Sequence, residues 1–103
     1  MAVNLRGTFL CYKEAAKVMI AQGKGGKLIG ACSGVVFKHY PMMSHYSVSK
    51  WGIRGLTRDA AMEFAKHKIT VNAYCPGMFH TCANTDLSLY SRSYSYCIVR
   101  FKH

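Results

Sequence analysis

Acidic residues are scarce in this chain of 103 residues. Four Asp and Glu stand against 14 Lys and Arg, a formal net charge of +10. An excess of that size raises the question of nucleic acid. The cations are scattered, however: Lys13, Lys17, Lys24, Lys27, Lys38, Lys50, Arg54, Arg58, Lys66 and Lys68 never form a block of five. Cations spread in this way read as solvated helix faces, so nucleic acid is not an expected partner. Long apolar runs are missing too. No stretch approaches a membrane span, and the N-terminus has no signal-peptide pattern. The expectation is a soluble, cytoplasmic protein without a membrane partner. Paired cysteines are lacking. Cys11, Cys32, Cys75, Cys82 and Cys97 are odd in number and include no Cys-x-x-Cys. Free thiols in a reducing compartment follow. Cys75, His80 and Cys82 lie close in sequence but have no second ligand pair, so no metal is expected. Half of the chain is hydrophobic and 17% is charged, which excludes a disordered chain and allows one domain with a modest core.

Residues 1 to 22 read as a helix. Leu5, Phe9, Leu10, Ala15, Ala16, Val18, Met19 and Ile20 make its apolar stripe. The glycines of Gln22-Gly23-Lys24-Gly25-Gly26 end it. Lys27 to Ser33 is a short apolar run suited to a strand buried on both faces. Gly34 to Ser44 is a loop, unusually apolar at Val35-Val36-Phe37, and should lie over something. His45 to His67 is a second helix with Ile53, Leu56, Ala60 and Phe64 in its stripe, widened by Trp51, Met62 and Ala65. Gly52 and Gly55 inside it suggest a close approach by another element. Ile69 to Cys75 is a second strand, stopped by Pro76-Gly77. The order helix, strand, helix, strand implies an α/β fold with parallel strands. Ser33 and Pro76-Gly77 then fall at strand carboxyl ends, the edge where open parallel sheets bind ligands.

The chemistry concentrates between Ser33 and Lys50. Tyr46 and Lys50 are four apart and share a helix face. A phenol is a poor proton donor or acceptor at neutral pH, and a fixed ammonium beside it favours the phenolate. Such a pair can move a proton to or from a substrate oxygen. Ser33 can donate a hydrogen bond to that oxygen. By itself Tyr-x-x-x-Lys is a weak pattern, and two residues that merely share a helix surface are much the commoner explanation of it. His39 and His45 flank it and are expected to shape the loop. Trp51, Met42, Met43 and Met62 are expected to be core or pocket lining, and Cys32 a small buried residue.

Further motifs arrive in order. They are Asn4-Leu-Arg-Gly7, Lys27-Leu-Ile-Gly-Ala-Cys-Ser33-Gly, Tyr46-Ser-Val-Ser-Lys50, thirteen positions after Ser33, and Ile69-Thr-Val-Asn-Ala-Tyr-Cys-Pro76-Gly77 followed by Thr81. From Asn4 to Thr81 the chain resembles the short-chain dehydrogenase/reductase family. His45-Tyr46-Ser47, Gly55-Leu56-Thr57 and Val71-Asn72-Ala73-Tyr74 look most like its acetoin/diacetyl reductases. The resemblance implies a partial Rossmann-like, doubly wound parallel sheet. It also implies reduction of a small carbonyl, or oxidation of a secondary alcohol, with NAD or NADP. Tyr46 would be the proton donor and acceptor. Lys50 would favour the phenolate and hold the nicotinamide ribose, and Ser33 would orient the carbonyl. Asn4 would hold a water that passes protons to Lys50. Pro76, Gly77 and Thr81 would line the nicotinamide. A full-length relative would be a homo-oligomer, assembled through the two helices.

The sequence also departs from that pattern. It has no Thr-Gly-x-x-x-Gly-x-Gly turn, and Gly23 to Gly26 follows a helix and precedes a strand, the reverse of a phosphate cradle. Residues 1–81 therefore read as a partial NAD(P)-binding domain carrying the catalytic half. Residues 82–103, rich in Ser and Tyr, read as a poorly ordered non-family tail, in which Cys97 to Phe101 could extend as a strand. A truncated gene is one expected origin. A catalytically inactive fragment that only associates with full-length relatives through its two helices is the alternative reading. Bare sheet edges and helix stripes would then make the isolated chain marginally stable.

Overall fold

The structure, a computed structural model, describes residues 1–77 and the strand Cys97–Val99. A wide-wound helical turn, Ala2–Gly7, leads into α1, Thr8–Gln22. Gly23 ends α1 with φ 66°, and its N–H reaches back to Ile20 O and Met19 O at 3.1 and 3.2 Å. This is the left-handed glycine stop that the sequence indicates. The next elements are β1, Gly26–Ala31, a short helical turn at Gly34–Val36, α2, Ser44–Phe64, and β2, Ile69–Cys75. A tighter turn, Ala65–His67, and Lys68 at φ 58° join α2 to β2.

Strands β1 and β2 are parallel, in register from Gly26 opposite Ile69 to Ala31 opposite Tyr74. Helix α2 is the crossover between them. The third strand, β3, Cys97–Val99, lies antiparallel on β2, so the sheet order is β1-β2-β3. The short extension expected in the tail thus finds a partner, and the sheet is mixed rather than all parallel. The rest of the tail lies outside the described residues.

Side chains alternate along each strand, so each face of the sheet takes every second residue. Leu28, Ile69 and Val71 face the helices and pack with Tyr12, Ala60 and Ala61, flanked by Ala15, Met19, Leu56 and Phe64. The opposite face carries Lys27, Ile29, Ala31, Thr70 and Tyr74, all exposed. β1 is therefore buried on one face only, not on two, because among the described residues no helix covers the Ile29 side. A second cluster, Cys32, Val36, Ile53, Ala73 and Cys75 with Leu5, lies toward the carboxyl ends of the strands.

The buried face of α1 differs from the expected stripe. Tyr12 and Ala16 are buried, with Ala15 and Met19 beside them, whereas Phe9, Leu10, Val18 and Ile20 are exposed. The hydrophobic pattern failed here because Tyr12, with its polar tip, takes the central core position. The α2 stripe of Ile53, Leu56, Ala60 and Phe64 packs as expected, joined by Ser49, Thr57 and Ala61. Met62 and Trp51 face outward. Inside α2, Gly52 sits under the Leu5 methyl groups, 2.8 Å from where a Cβ would lie. Among the described residues nothing lies within 4 Å of that point at Gly55, so none of them explains it by a close approach.

Candidate active site

Ser33 lies just past the end of β1 in extended conformation and is buried. Its Oγ accepts from Val35 N at 3.4 Å, capping the turn that buries Val35 and Val36. The apolar start of the loop thus covers the core rather than solvent, while Phe37 is exposed. Two backbone bonds carry the β1–β2 pairing past the strands: Cys32 N to Tyr74 O and Gly34 N to Pro76 O, both 2.9 Å. A Cβ on Gly34 would lie 3.2 Å from Pro76 O and 3.6 Å from Gly77 Cα. This closeness brings Ser33 and Pro76-Gly77 to one sheet edge.

Tyr46 and Lys50 occupy the first turns of α2, and both are half-buried. The Lys50 ammonium lies 5.6 Å from the centre of the Tyr46 ring, within cation–π range. It donates to Ala31 O at 2.9 Å. Cys32 Sγ donates to Lys50 O at 3.4 Å. The last residue of β1 and the one after it are thus both bonded to the same residue of α2. Cys32 is buried as expected and also helps to align the two elements.

Asn4 sits in the wide-wound turn, where Thr8 Oγ1 donates to its carbonyl at 2.6 Å. Widened turns of this kind often occur at functional positions. The Asn4 side chain goes to Ser49: Nδ2 donates to Ser49 Oγ at 3.3 Å, and that hydroxyl donates to Tyr46 O at 2.7 Å. Asn4 therefore contacts the residue next to Lys50. The structure brings Asn4, Tyr46 and Lys50 around the start of α2, with Ser33, Pro76 and Gly77 at the adjoining strand ends. Thr81 lies outside the described residues, as do His80 and Cys82.

Sequence reasoning missed Ser49 and Arg54. Ser49 is three positions from Tyr46, on the same face, but nothing in the sequence names Asn4 as its partner. Arg54 stacks between two rings, 5.3 Å from Phe37 and 5.0 Å from Trp51, and its Nη1 reaches Val36 O at 3.5 Å. It clamps the loop to α2. Beside it an open hollow of about 470 Å³ is lined by His39, Tyr40, Met42, Ser44, Ser47, Val48 and Trp51. Among the described residues, no three of His, Cys, Asp and Glu come together as a metal site. No helix of the described residues is long and apolar enough to cross a membrane.

Known proteins resemble this chain in sequence and in fold. A short-chain dehydrogenase/reductase of Armillaria gallica is 61% identical over 80 residues, 78% of this chain and 31% of that protein. The solved structure of acetoin dehydrogenase from Enterobacter cloacae superposes with a TM-score of 0.75 at 38% identity, over 80% of this chain and 34% of that one. A gluconate 5-dehydrogenase from Burkholderia cenocepacia, solved in complex with NADP and tartrate, gives 0.76 at 35% identity, over 82% and 33%. The chain thus spans about a third of the length of the relatives that it matches. The family model described as short chain dehydrogenase matches residues 1–90, and the chain belongs to that family of oxidoreductases.

Proposed function

We propose that these residues form the proton-transfer side of an NAD(P)-dependent oxidoreductase that reduces a small carbonyl or oxidises a secondary alcohol. One observation carries the reading: the Lys50 ammonium, bonded to Ala31 O, stands beside the Tyr46 ring at the strand edge that also holds Ser33. In the reducing direction the Tyr46 hydroxyl gives its proton to the carbonyl oxygen. The Lys50 charge stabilises the phenolate left behind. Ser33 donates to the same oxygen and fixes the angle of approach. Asn4, bonded to Ser49, holds the water that returns a proton toward Lys50. The cofactor, when bound, supplies the hydride that goes to the carbonyl carbon.

The residues of this edge fit one end of that cofactor. Lys50 can hold the nicotinamide ribose, and Pro76 and Gly77, with Thr81 after them, can line the ring. They do not supply a phosphate cradle. Gly23 and Gly25 lie at the amino end of β1, the edge opposite Ser33, and a Cβ on Gly25 would run into Lys68.

Trp51, the single tryptophan, adjoins Lys50 and supplies the assay. Excited near 295 nm, it should transfer energy to NADH or NADPH bound at this edge, and Lys50→Met should weaken that binding. Acetoin or diacetyl would then be offered as substrate, with Tyr46→Phe as the inactive control. Absence of both energy transfer and turnover refutes the reading. A second reading has its own support. Phe9, Leu10 and Val18 on α1 and Met62 on α2 are apolar and exposed. If the chain co-purifies with a full-length relative yet binds no cofactor, it is an inactive associating fragment.

A further inference from the structure

The geometry points to Ser49 as a positioning residue that couples Asn4 to the turn bearing Tyr46 and Lys50. The inference rests on the oxidoreductase reading above. Ser49 is 1% exposed, one of the most deeply buried side chains of the molecule, and it is polar. A serine inside a helix often bonds a carbonyl of its own preceding turn, and Ser49 does so, donating to Tyr46 O at 2.7 Å. That alone would be local bookkeeping within α2. The second bond is not local. Asn4 Nδ2, far away in sequence, donates to the same hydroxyl at 3.3 Å. The hydroxyl therefore uses its proton toward Tyr46 and its lone pair toward Asn4, and both roles are satisfied by one small side chain.

Two facts make the coupling specific. Asn4 is itself fixed, because Thr8 Oγ1 holds its carbonyl at 2.6 Å in the wide-wound turn. The next residue after Ser49 is Lys50, whose ammonium and carbonyl are both tied to the end of β1. A shift of Asn4 is thus felt first at Ser49, then at the turn that aims the phenol and the ammonium. Among the described residues, the Asn4 side chain makes no other hydrogen bond to α2. Ser49 is buried and spends its hydroxyl on Asn4 and Tyr46 O, so it acts through Tyr46 and Lys50.

The test is a cycle of Asn4→Ala, Ser49→Ala and the double variant in the whole chain, read by amide hydrogen exchange and by the ring signals of isotopically labelled Tyr46. Loss of one hydrogen bond of ordinary net strength raises exchange across residues 46–51 by about 2- to 10-fold. Each single variant should give that increase and move the Tyr46 ring signal in the same direction. The double variant should exceed Ser49→Ala by no more than about 2-fold, since Ser49→Ala already removes the bond to Asn4 along with the bond to Tyr46 O. Multiplying effects, or an unmoved Tyr46 signal in Ser49→Ala, would overturn the coupling. So would a Ser49→Ala chain that fails to fold while Asn4→Ala folds normally, because the hydroxyl would then serve the core independently of Asn4. Cofactor binding is measured separately on the unaltered chain. Its absence would sink the oxidoreductase reading while leaving the exchange cycle to decide the coupling.

Discussion

Gly30→Ala is expected to destabilise the fold through one side chain, Tyr12. Gly30 lies in β1 on the face toward the helices. A Cβ there would collide with the Tyr12 hydroxyl, with Tyr12 Cζ 3.2 Å away and Ile53 Cγ2 at 3.6 Å. The phenol cannot simply swing aside. Its hydroxyl is 3.3 Å from Thr57 Oγ1 in the core, and Thr57 in turn donates to Ile53 O at 2.8 Å. Overpacking of this kind costs about 1–3 kcal/mol, and a pinned partner puts the expectation near the top of that range. Tyr12→Phe alone should cost about 1 kcal/mol, since Thr57 keeps its bond to Ile53 O. Without the hydroxyl, the alanine methyl meets the ring carbon, which must yield by a few tenths of an ångström, and Ile53 Cγ2 at ordinary contact distance. The double variant should therefore cost about 2 kcal/mol, less than the sum of its parts by about 1–2 kcal/mol. Urea unfolding followed by far-UV circular dichroism measures all four chains. If the two costs add within about 0.5 kcal/mol, the hydroxyl is not what excludes a side chain at Gly30.

Two further outcomes follow from the core. Burial raises the Tyr12 phenol above its ordinary value, opposed by the bond to Thr57 and assisted by the nearby Cys32 thiol. Above about pH 10 the unfolded chain gives up a proton that the folded chain keeps, so stability present below that pH falls as the pH rises further. Tyr12→Phe should flatten that part of the decline, measured as unfolding midpoint against pH, and an unchanged slope would refute it. Gly55→Ala should stabilise α2 by about 0.8–1 kcal/mol, since no described residue opposes the methyl group. Gly52→Ala gains the same helix preference but must displace the Leu5 methyls at 2.8 Å, so thermal melts should place it below Gly55→Ala.

The order of elements was legible from residue types that act locally. Gly23 stops α1 because the chain needs a left-handed residue there, and Ile69–Cys75 is a strand because its β-branched residues alternate between two faces. Tyr46 and Lys50 were legible because helix spacing alone puts them together. What stayed hidden depends on contacts between distant segments. Phe9 and Leu10 look like core by hydrophobicity, yet Tyr12 is the residue that packs beneath β1, since Gly30 leaves room for a ring and Thr57 offers its hydroxyl a partner. Ile29 looks buried by composition, but its burial depends on whatever lies over the far side of the sheet. Ser49 looks like a spacer within a motif. Its role depends on Asn4, and no local pattern connects the two.

The paired bonds between β1's end and Lys50 have a consequence for chain entropy. Lys50 Nζ to Ala31 O closes a separation of 19 residues, and Cys32 Sγ to Lys50 O closes one of 18. Closing a loop restricts the chain by an amount that grows only slowly with its length. Here the two closures enclose almost the same loop, so the restriction arises once and the second bond forms between groups already held together. A ligand that draws the ammonium away from Ala31 therefore does not release the loop. The thiol keeps the ends joined, and the ammonium remains within reach of its former partner when the ligand departs.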